Sequence, residues 1–326
     1  MTALPELSDI KDAIARLSDY AVVTPLMESQ ILNDHVGGRI LIKAEMFQRT
    51  GSFKFRGALN RISKIDSQKF SGGVITCSSG NHAQGVAEAA RICGLSSTII
   101  MPSDAPQIKK FRTLRSGAQI ITYDRMTEDR EAIARDLAGQ RQCDFVAPYD
   151  DPLIIAGQGT AGFELAEQAK KQNATLDLLL CPCGGGGLIS GIGLYLRHAY
   201  PGLKIFAVEP EGFDDTARSL GSGQREVNER PGGSICDALL SVTPGEITFE
   251  LNKKQLSGGL VVSDEQVKRA MKFAFEELKL VVEPGGAVAL AAILNGLVEL
   301  ENKTTAIILS GGNVDADFYS NMLLTA

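Results

Sequence analysis

The chain has 326 residues, room for about two domains, and its 44% hydrophobic and 22% charged content is that of an ordinary soluble globular protein. A formal charge of −6 with no dense Lys/Arg block argues against a nucleic-acid binder, and no apolar run reaches the ~18 residues of a membrane span. Glu6, Asp9 and Lys11 precede any apolar core, unlike a signal peptide, and with six scattered cysteines this points to a reducing cytoplasm.

Residues 8–18 read as a helix with Ile10, Ile14 and Leu17 on one face. Residues 39–44 read as a strand that leads into Thr50-Gly51-Ser52-Phe53-Lys54-Phe55-Arg56-Gly57. There a lysine sits between two aromatic residues. Burial would lower its pKa and yield a nucleophilic amine suited to a carbonyl compound. The bland alternative is a lysine that snorkels to water past Phe53 and Phe55.

From Gly73 onward one pattern recurs: a β-branched run, a Gly/Ser/Asp turn, then a helix. Strands are predicted at 74–77, 97–101, 118–123, 145–147, 176–181, 204–208 and 305–309. Helices are predicted at 82–93, 107–116, 128–137, 154–168, 188–198, 267–278 and 285–294. Residues 213–260 read as the least regular part. All six cysteines, the close pair Cys181 and Cys183 included, read as small core residues. The alternation predicts an α/β protein with mainly parallel sheets, whose ligands bind beyond the carboxyl ends of the strands.

Three loops fall at such ends. Gly184 to Gly187 stand before a helix, where free N–H groups suit a phosphate. A dinucleotide turn and a purely structural turn remain alternatives, although Ile189 and Ser190 interrupt a strict G-x-G-x-x-G. Ser78-Ser79-Gly80-Asn81-His82 is a second helix start, able to bind a carboxylate or simply to cap the helix. Ser310-Gly311-Gly312-Asn313 ends the last strand and by itself is a turn.

Taken in order, T-G-S-F-K-F-R-G, S-S-G-N-H-A-Q-G, A-G-Q-G-T, G-G-G-G-L, V-E-P and S-G-G-N closely resemble the serine/threonine dehydratase and serine racemase family. These are pyridoxal-phosphate enzymes of fold type II, and the resemblance spans nearly the whole chain. It implies two domains, each a mainly parallel twisted sheet flanked by helices. Residues 1–72 and 148–326 would form a large cofactor-binding domain, and 73–147 a small domain carrying the substrate-carboxylate loop.

The resemblance also implies roles. Lys54 would hold pyridoxal 5'-phosphate and act as base at the substrate Cα. Phe53 would pack on the pyridine ring, Asn81 would bond its hydroxyl, and Ser310 would face its nitrogen. Glu283, of V-E-P, would join the cofactor-binding set. Gly184, Gly185, Gly186, Gly187 and Leu188 would hold the phosphate. Ser78, Ser79, Asn81 and His82 would surround the substrate carboxylate. Glu209 and Asp215, with the Phe213 carbonyl, would bind Mg²⁺ or a similar ion (Ca²⁺ or Mn²⁺); the alternative is an acidic surface loop.

The activity implied is deaminating dehydration of a 3-hydroxy amino acid such as L-serine or L-threonine, in a homodimer. Ser79 keeps serine racemisation open as a catalytic alternative. Arg130, assisted by Ser241, would meet a second carboxylate and make 3-hydroxyaspartate a substrate; otherwise Arg130 is an exposed helix residue paired with neighbouring acids. Ala238 replaces a glycine common in relatives and would narrow the pocket. Ser116 replaces the tyrosine of nucleotide-regulated racemases, which argues against ATP activation. His82 separates the chain from β-replacement enzymes, which carry T-S-G-N-T.

Overall fold

The computed structural model describes residues 3–105, 107–124, 126–230 and 232–326. Its strands are β1 (Leu26–Glu28), β2 (Arg39–Ala44), β3 (Val74–Cys77), β4 (Ser97–Pro102) and β5 (Gln119–Tyr123). They continue with β6 (Asp144–Phe145), β7 (Leu178–Pro182), β8 (Lys204–Pro210), β9 (Gly258–Val262) and β10 (Thr304–Leu309). Six form one sheet in the order β1-β2-β10-β7-β8-β9, parallel except for β1 against β2. The other four form a smaller, wholly parallel sheet in the order β5-β4-β3-β6.

Side-chain alternation along the central strands builds two cores at once. Leu178, Leu180, Ile307 and Leu309 join one apolar cluster with Val288 and Leu290 of helix Pro284–Leu294 and Met271 of helix Asp264–Glu276. Leu179, Cys181, Ala306 and Ile308 turn the other way, onto Leu165 of helix Pro152–Lys171 and Ile192 of helix Gly187–Ala199. Strands covered on both faces need near-continuous apolar runs, which is what β7 and β10 carry. Helix Pro152–Lys171 starts where the Asp151 side chain accepts from the N–H groups of Leu153 and Ile154, with Pro152 in the first turn.

Several expectations need correction. The span 213–260, read as the least regular part, holds helices Asp215–Ser222 and Glu246–Gln255 and the start of strand β9. Its glycines hid this. A Cβ on Gly259 in β9 would lie 2.4 Å from the Cβ of Ala217, so the strand needs glycine where helix Asp215–Ser222 crosses it. Helix Ala316–Leu324 and strand β1 went unread. Cys143, Cys181, Cys183 and Cys236 are buried, and Cys77 and Cys93 are half-buried at the edge of core clusters. The strand expected at 145–147 is β6, two residues long.

Candidate active site

Lys54 opens helix Lys54–Ile62, directly after β2 and two short turns. Phe53 N donates to Ser310 O at 3.2 Å, and Ser52 bridges Gly311, so the lysine turn is fastened to the end of β10. Nζ of Lys54 donates to Pro148 O at 2.7 Å and lies 5.3 Å from the centre of the Phe53 ring. Burial pushes its pKa down from the ordinary lysine value to about 8. The aromatic frame differs from the expected one: Phe55 is fully buried in a core cluster and stacks with Arg49. The amine therefore does not snorkel outward between two rings.

Facing it, β3 is followed by Ser78, Ser79 and Gly80, and helix Asn81–Ile92 begins. Gly80 N donates to Ser78 Oγ at 3.1 Å. Asn81 Nδ2 donates to Glu283 Oε1 at 2.6 Å. His82 Nε2 sits 3.1 Å from Val146 O, and burial, aided by the charge of Lys54, holds its pKa down to about 3. A neutral ring meets a carbonyl only as donor, so His82 Nε2–H is committed to the backbone.

The glycine loop follows β7. Gly186 has φ +92°, a left-handed conformation, and Gly187 starts helix Gly187–Ala199. A Cβ on Gly185 would lie 2.4 Å from the Tyr149 ring, and one on Gly186 2.8 Å from Asn252 Nδ2. Thr248 Oγ1 donates to Gly185 O at 2.7 Å. Thr248 stands in the first turn of helix Glu246–Gln255, whose N–H groups at Glu246, Ile247 and Thr248 donate to the Asp150 carboxylate at 2.9, 2.9 and 3.1 Å. The loop is thus clamped from both sides, with its helix N-terminus open to an anion.

Glu283 immediately precedes helix Pro284–Leu294, with its pKa raised to about 8 by burial and then by Asp237. A Cβ on Gly311 would overlap Glu283 Oε1, so the S-G-G-N turn needs its first glycine.

One cavity of about 240 Å³ gathers these parts. It is lined by Phe53, Lys54, Ser78, Ser79, Asn81, His82, Gly184 to Leu188, Glu283 and Ser310, and also by Arg130 and Ser241. Arg130 is exposed at the start of helix Arg130–Arg141, yet it reaches this cavity. Ala238 also lines it, its Cβ 3.2 Å from where Gly285 would carry one. Sequence reasoning left out Tyr149, Lys109, Asp237 and Asn313, which share the lining. Asn313 lay in a quoted motif; for Tyr149 no local signal exists.

Glu209, Phe213 and Asp215 lie outside this cavity, at the end of β8. Glu209 accepts from the N–H groups of Thr216 and Ala217 at 2.9 and 2.8 Å. Asp215 Oδ1 accepts from Asn228 Nδ2 at 2.6 Å, while its Oδ2 is buried without a partner. Burial, then the charge of Asp215, raises the pKa of Glu209 to about 8; burial raises Asp215 to about 6. Two buried carboxylates with an orphaned oxygen fit a hard cation. Among the described residues no group of three or more His, Cys, Asp or Glu converges on one point.

A buried lysine amine, an open helix N-terminus and a hydroxyl-rich loop, all at strand carboxyl ends, are the parts an α/β enzyme with a phosphorylated carbonyl cofactor needs. The family model for pyridoxal-phosphate dependent enzymes matches residues 17–311, and the chain belongs to that family. It is 44% identical over 320 residues to an L-threo-3-hydroxyaspartate ammonia-lyase of Saccharomyces cerevisiae, covering 98% of this chain and 97% of that one. It is 39% identical to a serine racemase of Schizosaccharomyces pombe, covering 98% of each. Among solved structures, a threonine deaminase of T.th. superposes with a TM-score of 0.91 at 40% identity, over 95% of this chain and 99% of that one. Maize serine racemase superposes at 0.92 with 35% identity, over 99% and 98%. The fold and family implied by the sequence resemblance are therefore borne out.

Proposed function

We propose that the protein is a pyridoxal-phosphate-dependent ammonia-lyase that removes water from a 3-hydroxy amino acid such as L-serine or L-threonine and releases a 2-oxo acid and ammonia. The observation that carries this reading is the Lys54 amine, buried in the same cavity as the anion cradle and the Ser78–Asn81 loop. Bound pyridoxal phosphate supplies the carbonyl that takes up an amine and the electron sink for negative charge at Cα. Nζ of Lys54 would hold the cofactor and, as a free amine, would take the Cα proton. The N–H groups from Gly184 to Leu188 hold the phosphate. Phe53 would pack on the ring and Asn81 would bond its hydroxyl, and Glu283 steadies Asn81 through their 2.6 Å contact. The Ser310 hydroxyl, in the cavity lining, would stand by the ring nitrogen; a hydroxyl would not hold that nitrogen protonated as an aspartate would, which would favour loss of the β-hydroxyl. Ser78, Ser79 and the helix start at Asn81 bind the substrate carboxylate, and His82, neutral and tied to Val146, walls that loop.

Finer assignments belong to the same reading. Residues 73–147 form the small domain, containing β3 to β6, and 1–72 with 148–326 the large one. Glu209, Asp215 and the Phe213 carbonyl bind Mg²⁺ or a similar ion, supported by the unpartnered Asp215 Oδ2. The protein works as a cytoplasmic homodimer; free cysteines support the compartment, and exposed Phe275 and Phe318 offer apolar surface to a second copy.

A second reading has its own support. Arg130 lines the cavity, and a guanidinium there suits a second carboxylate, which makes 3-hydroxyaspartate a substrate. Ser79, also in the lining, keeps racemisation on the same scaffold. The test is a panel of L- and D-serine, threonine and 3-hydroxyaspartate isomers, with oxo-acid release and enantiomer inversion measured separately. Oxo-acid release from at least one 3-hydroxy amino acid is expected. Inversion without any release would replace the lyase reading with a racemase.

A further inference from the structure

Asn313 closes the S-G-G-N turn after β10, and its carboxamide is used on every side. Nδ2 donates to Thr50 O and to Asn81 Oδ1, both at 2.7 Å. Oδ1 accepts from Arg112 Nη1 at 3.0 Å. The outer partners leave no choice of orientation: a backbone carbonyl only accepts, and a guanidinium only donates. Asn313 must therefore turn its NH₂ toward Asn81, and Asn81 must turn its oxygen toward Asn313. That leaves the two N–H bonds of Asn81 Nδ2 for other partners. One goes to Glu283 Oε1 at 2.6 Å. The other remains for a ligand in the cavity that Asn81 lines. Gly51 makes room for this arrangement, since a Cβ there would lie 2.6 Å from Asn313 Oδ1.

The contacts also join separate parts of the fold. Arg112 lies on helix Gln107–Arg115, which follows β4, and Asn81 lies on the helix that follows β3. Asn313 and Glu283 belong to the larger-sheet side. Two residues beside the smaller sheet thus grip one carboxamide from opposite ends.

We propose that Asn313 is a positioning residue that fixes Asn81 as a donor toward the cofactor, and that Arg112 locks Asn313 in the required orientation. The inference rests on the cofactor-facing role of Asn81 given above, so the experiment separates the two. Apoprotein of wild type, Asn81→Ala, Asn313→Asp and Arg112→Met is titrated with pyridoxal phosphate. The dissociation constant and the pH midpoint of the bound cofactor's near-visible absorbance are recorded.

Asn313→Asp keeps the acceptor for Arg112 but presents a second acceptor to Asn81, at odds with its oxygen. It is expected to raise the dissociation constant about tenfold, the scale of one buried hydrogen bond, and to move the pH midpoint in the same direction as Asn81→Ala. Arg112→Met should raise the dissociation constant roughly two- to threefold and move the pH midpoint in that same direction. A change in thermal stability alone, with both cofactor readouts at wild-type values, would be a structural role and overturns the proposal. If Asn81→Ala itself leaves both readouts unchanged, the role of Asn81 falls, and this inference falls with it. Should Asn313→Asp fail to fold, Arg112→Met decides: an unchanged midpoint and dissociation constant overturn the proposal.

Discussion

Arg56 and Glu164 form a two-pronged ion pair, Nη1 to Oε1 at 2.6 Å and Nη2 to Oε2 at 2.8 Å, with Arg56 fully buried and Glu164 9% exposed. The same guanidinium holds Glu45 through Nε and Nη2 at 2.8 and 2.9 Å, and Lys43 Nζ reaches Glu164 at 2.6 Å. Two cations thus face two carboxylates, and one of them, Arg56, lies two residues after Lys54 on the helix that presents it. Removing one charge leaves the others desolvated and unbalanced. Glu164→Gln should cost about 3–5 kcal/mol of unfolding free energy, the usual loss when a buried pair is broken. Denaturant melts check this, and a loss below about 1 kcal/mol would mean that the network is hydrated in solution.

That network shows where sequence reading stops. Lys54, the glycine loop and the serine loop each carry a local signal: an apolar strand, then a turn too small or too polar for its place, then a helix. Arg56 and Glu164 are 108 positions apart, and nothing near either one announces the other. The same holds for Asp150, which accepts from the start of a helix 96 to 98 residues further on. Glycine hid β9, where it answers close contact with Ala217. Arg130 was legible as a residue but not as a position: only the fold shows that an exposed helix start borders the cavity.

Lys54→Ala should abolish turnover and the near-visible absorbance of the bound cofactor, while the far-ultraviolet circular dichroism stays that of wild type. In the apoprotein, the depressed pKa of Lys54 has a separate signature. Uptake of pyridoxal phosphate needs the neutral amine, so its rate should rise with pH and reach half its plateau near pH 8. The stability sign follows. The unfolded chain binds this proton up to pH ~10.4, so burial of Lys54 destabilises the apoprotein below pH 8. That penalty is recovered as pH rises from there. A half-plateau above pH 10 would mean that the amine is solvated.

Gly185→Ala tests the clamp on the phosphate loop. The added methyl meets three atoms of the Tyr149 ring at 2.4 Å, too close for any relaxed contact. Either the ring or the loop must move, and the cradle N–H groups move with the loop. Affinity for pyridoxal phosphate should fall at least tenfold, by the scale of one or two charge-assisted hydrogen bonds. Equilibrium dialysis measures it. Wild-type affinity would show that Tyr149 swings aside freely.

Asp215→Asn tests the carboxylate pair beside β8. If a divalent cation joins Glu209 and Asp215, adding Mg²⁺ to chelator-treated wild type should raise the melting temperature, because a ligand that binds only the folded state stabilises it. The variant should lose that response. It should also melt higher than the metal-free wild type, since it removes a carboxylate whose charge raises Glu209. Equal melting curves with chelator and with Mg²⁺ in the wild type would return this pair to a buried structural role.

Arg130→Gln addresses the choice of substrate. The guanidinium lines the cavity from an exposed helix start, while Lys109, another lining cation besides Lys54, is tied to Asp237 at 2.6 Å. A second substrate carboxylate would therefore find Arg130 more readily than Lys109, which already has a partner. Serine and threonine carry no second carboxylate for Arg130 to bind. The variant should lower kcat/KM for 3-hydroxyaspartate by about ten- to a hundredfold, the range for a hydrogen bond to a charged group, and change it less than threefold for serine. The loss should appear mainly in KM, because the second carboxylate is bound equally before and during the reaction. An equal fall for both substrates would place Arg130 in the structure of the cavity wall instead of in recognition. No fall for either would leave it a solvated helix residue.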